Sequence, residues 1–230
     1  MEFFYSMIKF FTAGGVFMLP IVLTGAIAIA ITVERYVTLT MMGARNRRTW
    51  ARVESVLTSG EFDKARELMS KDESPLSRVL GMGLALQGAV RRRDDVEKAM
   101  QESMMEVVPQ LEKRTHYLAT LANVATLLGL LGTVSGLIHA FSAVATVNPA
   151  EKANLLAASI SEAMNCTALG LVTAVPILVV HAFLQSKTTG LSDGLETAAI
   201  RFLNALAARQ AARAQSRLEL VQPAQQAKSA

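Results

Sequence analysis

The chain has 230 residues, of which 51% are apolar and only 18% are Asp, Glu, Lys or Arg. A soluble domain usually carries about 25% charged residues, so this composition argues against a soluble protein and favours an integral membrane protein. The formal net charge of +4 does not indicate nucleic acid as a partner, because the 15 basic residues of segment 34–114 are interleaved with 13 acidic ones.

Three stretches of the sequence are long and nearly free of charge. Residues 10–33 and 115–148 contain no Asp, Glu, Lys or Arg, and residues 153–186 contain only Glu162. A helix needs about 20 apolar residues to cross the hydrocarbon core of a bilayer, so each stretch can span it once. The sequence therefore predicts an all-α integral membrane protein with three transmembrane helices, the first of which is retained rather than cleaved as a signal peptide.

The basic residues are unevenly distributed around the three predicted crossings. Fifteen of the 23 lie in residues 35–114 and six lie after residue 186, whereas the other two are Lys9 and Lys152. Since cytoplasmic segments are enriched in Lys and Arg, the N-terminus is predicted outside and the C-terminus inside. The predicted segments are an external N-terminus (1–9), transmembrane helix 1 (10–39), a cytoplasmic helical segment (40–114), transmembrane helix 2 (115–147), an external loop (148–154), transmembrane helix 3 (155–186), a cytoplasmic C-terminal helix (187–220) and a disordered tail (221–230).

Both predicted cytoplasmic parts show the spacing of apolar residues that is typical of helices. A short helix, expected to end before Pro75, has an apolar face formed by Phe62, Ala65, Leu68 and Met69. A second helix, which leads toward the second crossing, has an apolar face formed by Val96, Met100, Met104, Val107, Val108 and Leu111. The C-terminal helix has an apolar face formed by Leu195, Ala198, Ala199, Phe202, Leu203 and Leu206. We therefore expect long helical extensions that pack on one another.

The residue types that usually carry catalysis or bind metal are sparse and scattered. Cys166 is the only cysteine, and its apolar surroundings predict a small buried filler. His116, His139 and His181 are too far apart in sequence for a metal-ligand spacing. The glycines of the second crossing lack the lysine of a phosphate-binding loop. We therefore expect neither an enzyme nor a bound cofactor or metal.

Small residues recur at helical spacing in the second and third crossings. Helices in lipid associate through close backbone packing, which Gly and Ala allow. The predicted packing residues are Gly129, Gly132 and Gly136 on the second crossing and Ala163, Gly170 and Ala174 on the third, with Thr167 on the same surface. We expect these residues to hold the two helices in a tight bundle.

Glu162 is the only carboxylate in the three stretches, although a carboxylate within a bilayer costs roughly 3 kcal/mol on insertion scales. Counting along the helices from the short external loop places Glu162 and His139 at a similar depth, with Thr133 and Thr167 deeper, near the middle of the membrane. This polar ladder predicts a proton path, since carboxylates titrate and hydroxyls order water. Two alternatives stay open: Glu162 pairs with Lys152 or with a neighbouring subunit, and the threonines only hold helices together.

The predicted path has hydroxyls but no ionisable group at mid-membrane. Thr133 and Thr167 do not titrate, whereas a proton relay through a bilayer normally has a titrating group near its centre. The missing acid is therefore expected to come from another protein.

Two motifs resemble those of a known family. The three-crossing layout, LLGLLGTVSGLIHAF (127–141) and ISEAMNCTALGLVTAVP (160–176) are similar to the MotA/TolQ/ExbB family of proton-channel subunits. The resemblance is stronger to the three-helix ExbB and TolQ branch than to MotA, which has four crossings. The chain departs from the pattern at Ser135, where a tryptophan is usual, and at Asn165-Cys166, which replace more apolar residues.

The resemblance implies a homopentameric ring in the bacterial inner membrane, around single-helix partners of the ExbD/TolR type with an intramembrane aspartate. It assigns Thr133, Glu162 and Thr167 to the interior that faces this aspartate, and it makes the external segments periplasmic. Such a ring converts proton motive force into mechanical work on a periplasmic client, such as a TonB-like protein in outer-membrane transport or a TolA-like protein in envelope maintenance. Alternative functions are a MotA-like or gliding-motility stator that acts on a rotor, and a non-conducting membrane scaffold.

Overall fold

The structure is a computed structural model that describes residues 15–86, 93–145 and 147–226, with side chains described through residue 212 and at residue 215. Every regular element in these ranges is an α-helix, in agreement with the predicted all-α class. The helices are α1 (Met18–Thr58), α2 (Phe62–Ser70), α3 (Pro75–Leu86), α4 (Arg93–Glu112), α5 (Thr115–Val144) and α6 (Pro149–Gln226).

Three parts of the described chain are long and apolar enough to cross a membrane. They lie in α1, in the stretch Arg93–Val144 that contains α4 and α5, and in the portion Pro149–Ala212 of α6. The predicted number of spans is therefore confirmed by length and composition. The external segment 1–9 and the first five residues of the predicted crossing 10–39 lie outside the described residues.

Two helices run past the predicted segment boundaries. α1 continues without a break to Thr58, beyond the predicted end of the first crossing at residue 39. α6 is a single helix of 78 residues, and its backbone remains helical through Gln226, six residues into the predicted disordered tail. Residues 187–220 contain no proline, and their two glycines have helical backbone, so nothing local ends the helix after the third crossing.

The chain divides into two compact units. The first unit comprises Met1–Val37 and Lys113–Ser186, and it contains all candidate residues of the ion path. The second unit comprises Thr38–Glu112 and Lys187–Ala230.

The core of the second unit is apolar and draws on all of its helices. Phe62 of α2 and Phe202 of α6 are fully buried, and their rings meet edge to face with centroids 6.2 Å apart. The predicted apolar face of the C-terminal helix is confirmed, because all six of its residues are buried. On α2 the prediction is confirmed at Ala65 and Met69 but wrong at Leu68, which is 36% exposed. Leu68 lies about 100° around the helix from Met69, beyond the face that the core covers.

A hydrogen-bonded turn connects α2 to α3. The Asp72 carboxylate accepts hydrogen bonds from the Thr49 hydroxyl, from the Ser74 hydroxyl at 3.0 Å and from the Ser74 N–H at 3.2 Å. Burial alone raises the pKa of Asp72, but these hydrogen bonds and the charge of Arg45 outweigh it and hold the pKa below its ordinary value. α2 ends before Pro75 as predicted, and Pro75 begins α3, a position where its missing N–H is tolerated.

A break of two residues separates α4 from α5. Its second residue, Arg114, has φ of 66°, a left-handed backbone conformation that residues with a side chain rarely adopt. The Nη1 group of Arg114 donates to both carboxylate oxygens of Glu34 at 2.7 Å. This ion pair ties the strained residue to α1 within the first unit.

Candidate functional site

The backbones of α5 and α6 approach each other so closely that several positions have no room for a side chain. A Cβ atom on Gly170 would lie 2.7 Å from a carbonyl oxygen of α5, and one on Gly129 would lie 3.2 Å from the Cα atom of Thr167. A Cβ atom on Gly136 would lie 2.8 Å from the Cβ atom of Ala163. Glycine at these positions permits the close helix pair, which in lipid is the main source of association.

The six predicted packing residues share a low exposure. Gly129, Gly132, Ala163, Gly170 and Ala174 are buried, and Gly136 is half-buried. All of them belong to the first unit, in which they supply small contact surfaces rather than reactive groups.

Both threonines of the predicted path donate their hydroxyl protons to backbone carbonyls. Thr167 donates to the carbonyl oxygen of Gly129 at 2.8 Å, which links α6 to α5. Thr133 donates to the carbonyl oxygen of Leu130, in its own helix, at 2.6 Å. A hydroxyl that donates in this way still has two lone pairs. Each threonine oxygen therefore remains an acceptor for water or for a protonated acid.

Glu162 is exposed and lies against a glycine of the first unit. A Cβ atom on Gly15 would overlap Oε1 of Glu162, and Gly15 also has φ of 73°, so glycine is required there for two reasons. Gly15 was not among the residues predicted from the sequence, although the adjacent glycines 14 and 15 in the first apolar stretch were a visible signal. Among the described residues Glu162 forms no ion pair, so the alternative pairing with Lys152 is not observed within this chain.

The four candidate residues of the ion path lie on two helices. Thr133 and His139 belong to α5, and Glu162 and Thr167 belong to α6. His139 and Glu162 are exposed, whereas both threonines are half-buried. In the ranges 15–86, 93–145 and 147–226 no hydrogen bond or ion pair joins any two of the four. A continuous polar path along them requires water or a second polypeptide.

Side chains able to bind metal are not clustered in the part of the chain that the structure describes. There, no group of three or more His, Cys, Asp or Glu residues is arranged to hold a metal ion. Cys166 is buried as predicted, and a Cβ atom on Gly132 would overlap its sulfur. The thiol therefore fills space between α5 and α6.

The first unit exposes many large apolar side chains. On α5 and α6 they include Leu127, Leu130, Leu131, Val134, Ile138, Phe141, Leu171, Val172, Val175, Val179 and Phe183. Lipid tails or neighbouring membrane helices, rather than water, suit such a surface. The exposure agrees with a protein that resides in a membrane.

Comparison with known proteins relates the chain to one family. The sequence model of the MotA/TolQ/ExbB proton channel family matches residues 71–197, more than half of the chain. The chain is 28% identical over 168 residues to the putative biopolymer transport protein ExbB-like 3 of Synechocystis sp., a match that covers 73% of this chain and 79% of that protein.

Other relatives carry both the ExbB and the TolQ names. The Tol-Pal system protein TolQ of Haemophilus influenzae is 35% identical over 96 residues, which is 42% of each chain. The biopolymer transport protein ExbB of Pseudomonas putida is 26% identical over 170 residues, covering 71% of this chain and 51% of that protein. The region matched by the family contains α5 and the part of α6 that carries Glu162 and Thr167. The chain is therefore a membrane protein that belongs to the MotA/TolQ/ExbB proton channel family.

Proposed function

We propose that the chain is an ExbB/TolQ-like proton-channel subunit that works with a single-helix partner carrying an intramembrane aspartate. The observation that carries the proposal is Glu162, an exposed carboxylate in an apolar span that has no ion-pair partner among the described residues. A charge that is costly in lipid is expected to face a polar interior. A partner helix and ordered water supply that interior.

The candidate residues take distinct roles along the path. Glu162 and His139 form its outer part, where protons enter, and Thr133 and Thr167 form its deeper part. The threonine oxygens accept hydrogen bonds from water or from the protonated aspartate of the partner, while their own protons stay on backbone carbonyls. The aspartate takes up a proton from the outer side and releases it toward the inner side. Its change of charge then moves the partner relative to this chain.

The surrounding assembly is part of the same proposal. We place a homopentamer in the bacterial inner membrane, with the N-terminus in the periplasm and the C-terminus in the cytoplasm. The distribution of Lys and Arg supports this orientation. The exposed apolar surfaces of α5 and α6 support contacts with neighbouring copies and lipid. The names of the relatives, biopolymer transport and Tol-Pal system, support a TonB-like or a TolA-like client.

A non-conducting membrane scaffold is the second candidate function. The hydrogen bonds of Thr133 and Thr167 to backbone carbonyls favour it, because structural threonines in membrane helices form the same bonds. A scaffold needs these hydroxyls only for packing, whereas a channel needs their oxygens for ion transfer. Ion flux at matched protein levels therefore separates the two functions.

Proton uptake by lipid vesicles that contain the chain and its partner tests the proposal. The informative variants are Glu162→Gln and the double variant Thr133→Val with Thr167→Val, since valine keeps the shape of threonine without its hydroxyl. Glu151→Gln is the matched control for the acid, because Glu151 is exposed in the first turn of α6. Thr126→Val is the matched control for the hydroxyls, because Thr126 of α5 also donates to a carbonyl of its own helix, at 3.1 Å.

We expect Glu162→Gln and the double threonine variant to lower proton uptake by about 100-fold, the usual contribution of a positioned proton-transfer group. The two controls are expected to conduct like the unaltered chain. If the Glu162 and threonine variants conduct as well as the controls, these side chains are structural and the scaffold becomes the better interpretation.

A further inference from the structure

Two different sides of the second unit have complementary features. The first side is a cleft of about 410 Å³, mainly between α1 and α6. The second side is a groove of about 750 Å³ between α4 and α6. No residue lines both, and their lining positions on α6 are centred about 140° apart around the helix. One copy of the chain can therefore present the two sides to two different neighbours.

The cleft combines open space with an unpaired cation. A Cβ atom added to Gly190 or to Gly194, which line it, would meet no other atom within 4 Å, so the packing of one copy requires glycine at neither position. Arg47, which also lines the cleft, is exposed and forms no ion pair or hydrogen bond with another described residue. Arg201 is already paired with Glu54 at 3.1 Å. The cleft therefore has room for a side chain of another molecule and one guanidinium able to pair with an acid.

The groove side presents exposed apolar side chains together with acids. Met105 of α4 is 76% exposed and Ile200 of α6 is 51% exposed, and both line the groove. Four glutamates line the groove or lie on the adjoining exposed face of α4: Glu97, Glu196, Glu102 and Glu106. None of the four forms an ion pair in the part of the chain that the structure describes. Lys98 on α4 is also exposed, and it offsets only part of this negative charge.

These features favour a second copy of the chain as the partner of the cleft. An exposed methionine beside acids is complementary to open space beside an unpaired arginine. A symmetric contact of the groove side with itself would instead bring like charges together, which is unfavourable. A contact between two different surfaces repeats from copy to copy, and it forms a ring when the rotation closes.

We propose that α4 of one copy docks in the cleft between α1 and α6 of the next copy. Met105 lies over Gly194 on the α6 wall of the cleft, and Glu106 pairs with Arg47 on the α1 wall. Adjacent helical residues point about 100° apart, so one helix in a cleft directs them to two different walls. The proposed contact extends the ring of the proposed function to the second unit. It rests on self-association of the chain and not on conduction.

Disulfide cross-linking of the full chain in membranes tests this contact. Chains with Gly194→Cys and chains with Met105→Cys are co-expressed, and their thiols are oxidised with copper phenanthroline. We expect a cross-linked dimer from the mixture and none from either variant alone. A chain with both replacements is expected to form a ladder of larger species. Cys166 is buried and is present in every arm, so the single variants report its background.

The matched control uses Met82→Cys in place of Met105→Cys. Met82 of α3 is 46% exposed but lines neither the cleft nor the groove, so it is expected not to cross-link to a cysteine at residue 194. Equal cross-linking of the two methionine positions would overturn the proposal. So would the absence of a dimer from Met105→Cys with Gly194→Cys when both chains are expressed. A dimer formed by Met105→Cys alone would show a symmetric contact and would overturn it as well.

Charge reversal tests the ion pair across the contact. In the chain with both cysteines, Arg47→Glu or Glu106→Arg is expected to lower the rate of cross-linking about fivefold, the usual weight of one surface ion pair. Both reversals in the same chain are expected to restore the rate, because every contact then pairs the exchanged charges. Arg48→Glu with Glu106→Arg is the matched control, since Arg48 is an exposed neighbour on α1 that does not line the cleft. Equal rates for the two combinations would overturn the pairing.

Proton uptake by vesicles that contain the chain and its partner separates this contact from the proposed function. Uptake by a chain that does not cross-link would remove the contact and leave the channel in place. Intact cross-linking without uptake would support the contact and remove the channel function.

Discussion

Glycine residues, which have a hydrogen atom in place of a side chain, set the distance between α5 and α6. At Gly170 and Gly129 the facing atoms are backbone atoms, which cannot turn away as a flexible side chain does. The association of these helices in lipid therefore depends on residue identity at a few positions, and the effects of substitution there are expected to be steep.

Gly170→Ala is expected to destabilise the first unit by about 1–3 kcal/mol, because its Cβ atom would lie 2.7 Å from a carbonyl oxygen. Gly190→Ala is the matched control on the same helix, and its Cβ atom would meet nothing within 4 Å. The control is expected to be neutral or to stabilise by roughly 0.5–1 kcal/mol through helix propensity. Thermal unfolding in detergent measures both, and equal transition temperatures would contradict the close approach.

The turn at Asp72 predicts a stability that depends on pH. Its folded pKa lies below the unfolded value of about 3.9. Its contribution is therefore fully present above the unfolded pKa and is lost as the pH falls through the folded pKa. Asp72→Asn is expected to destabilise the chain by about 1 kcal/mol at pH 7, since hydrogen bonds from Thr49 and Ser74 are weakened.

The difference in melting temperature between the unaltered chain and Asp72→Asn is expected to shrink as the pH is lowered from 7 toward 3. Glu73→Gln, a change at the exposed neighbouring residue, serves as the control and is expected to show little effect at any pH. A difference that grows on acidification would contradict the direction of the pKa shift.

The sequence singled out an acid that is unusual for its surroundings and small residues at helical spacing, but not residues whose role depends on a contact with a distant part of the chain. Glu162 could be found because an acid in an apolar stretch is conspicuous. Gly15 could not, since the need for glycine arises from φ and from a carboxylate that is distant in the chain. Leu68 was predicted to be buried but is exposed, for a related reason. Helical spacing gives the angular position of a residue around the helix, but it does not give the width of the face that the core covers.

At the scale of elements, the break between α4 and α5 is the one place among the described residues where a residue with a side chain has positive φ. A left-handed conformation costs such a residue about 1–2 kcal/mol. The exposed ion pair with Glu34 contributes roughly 0–1 kcal/mol, so it does not fully offset this strain.

Arg114→Gly and Glu34→Gln both lose the ion pair. Only Arg114→Gly also relieves the backbone strain at residue 114, so this variant is expected to be at least as stable as Glu34→Gln. Lys113→Gly is the matched control, since it introduces glycine one residue earlier, where φ is not positive, and it is expected to destabilise by about 0.5–1 kcal/mol. Thermal unfolding of the three variants provides the comparison. An Arg114→Gly variant less stable than Lys113→Gly would show that the junction is not strained.

Sequence patterns predicted the existence of the helices better than their ends. The three spans could be predicted from the sequence because length and composition alone decide whether a helix can cross a bilayer. Helical extensions beyond the crossings were also predicted. Their unbroken junction with the crossings in α1 and α6, and the helical backbone of residues 221–226, were not, because a change from apolar to charged residues resembles a boundary even where no helix-breaking residue is present.

At the scale of the whole molecule, the candidate ion path of the first unit has hydroxyls and one exposed carboxylate, Glu162, and its central acid is proposed to come from a partner protein. The chain alone in vesicles is therefore expected to show no proton uptake above that of empty vesicles, whereas co-reconstitution with the partner is expected to produce it. The same vesicle measurement as above provides the test, with matched protein content verified by immunoblot. Uptake by the chain alone would remove the need for a titrating partner.

The unbroken course of α6 has a consequence for insertions within the second unit. Each residue inserted between Leu195 and Phe202 turns everything beyond it by about 100° and shifts it by about 1.5 Å. Phe202, Leu203 and Leu206 would then leave the face on which Leu195 packs in the same core. Because no turn interrupts this part of the helix, a single insertion there is expected to disrupt the core more than one in the turn at residues 59–61, between α1 and α2.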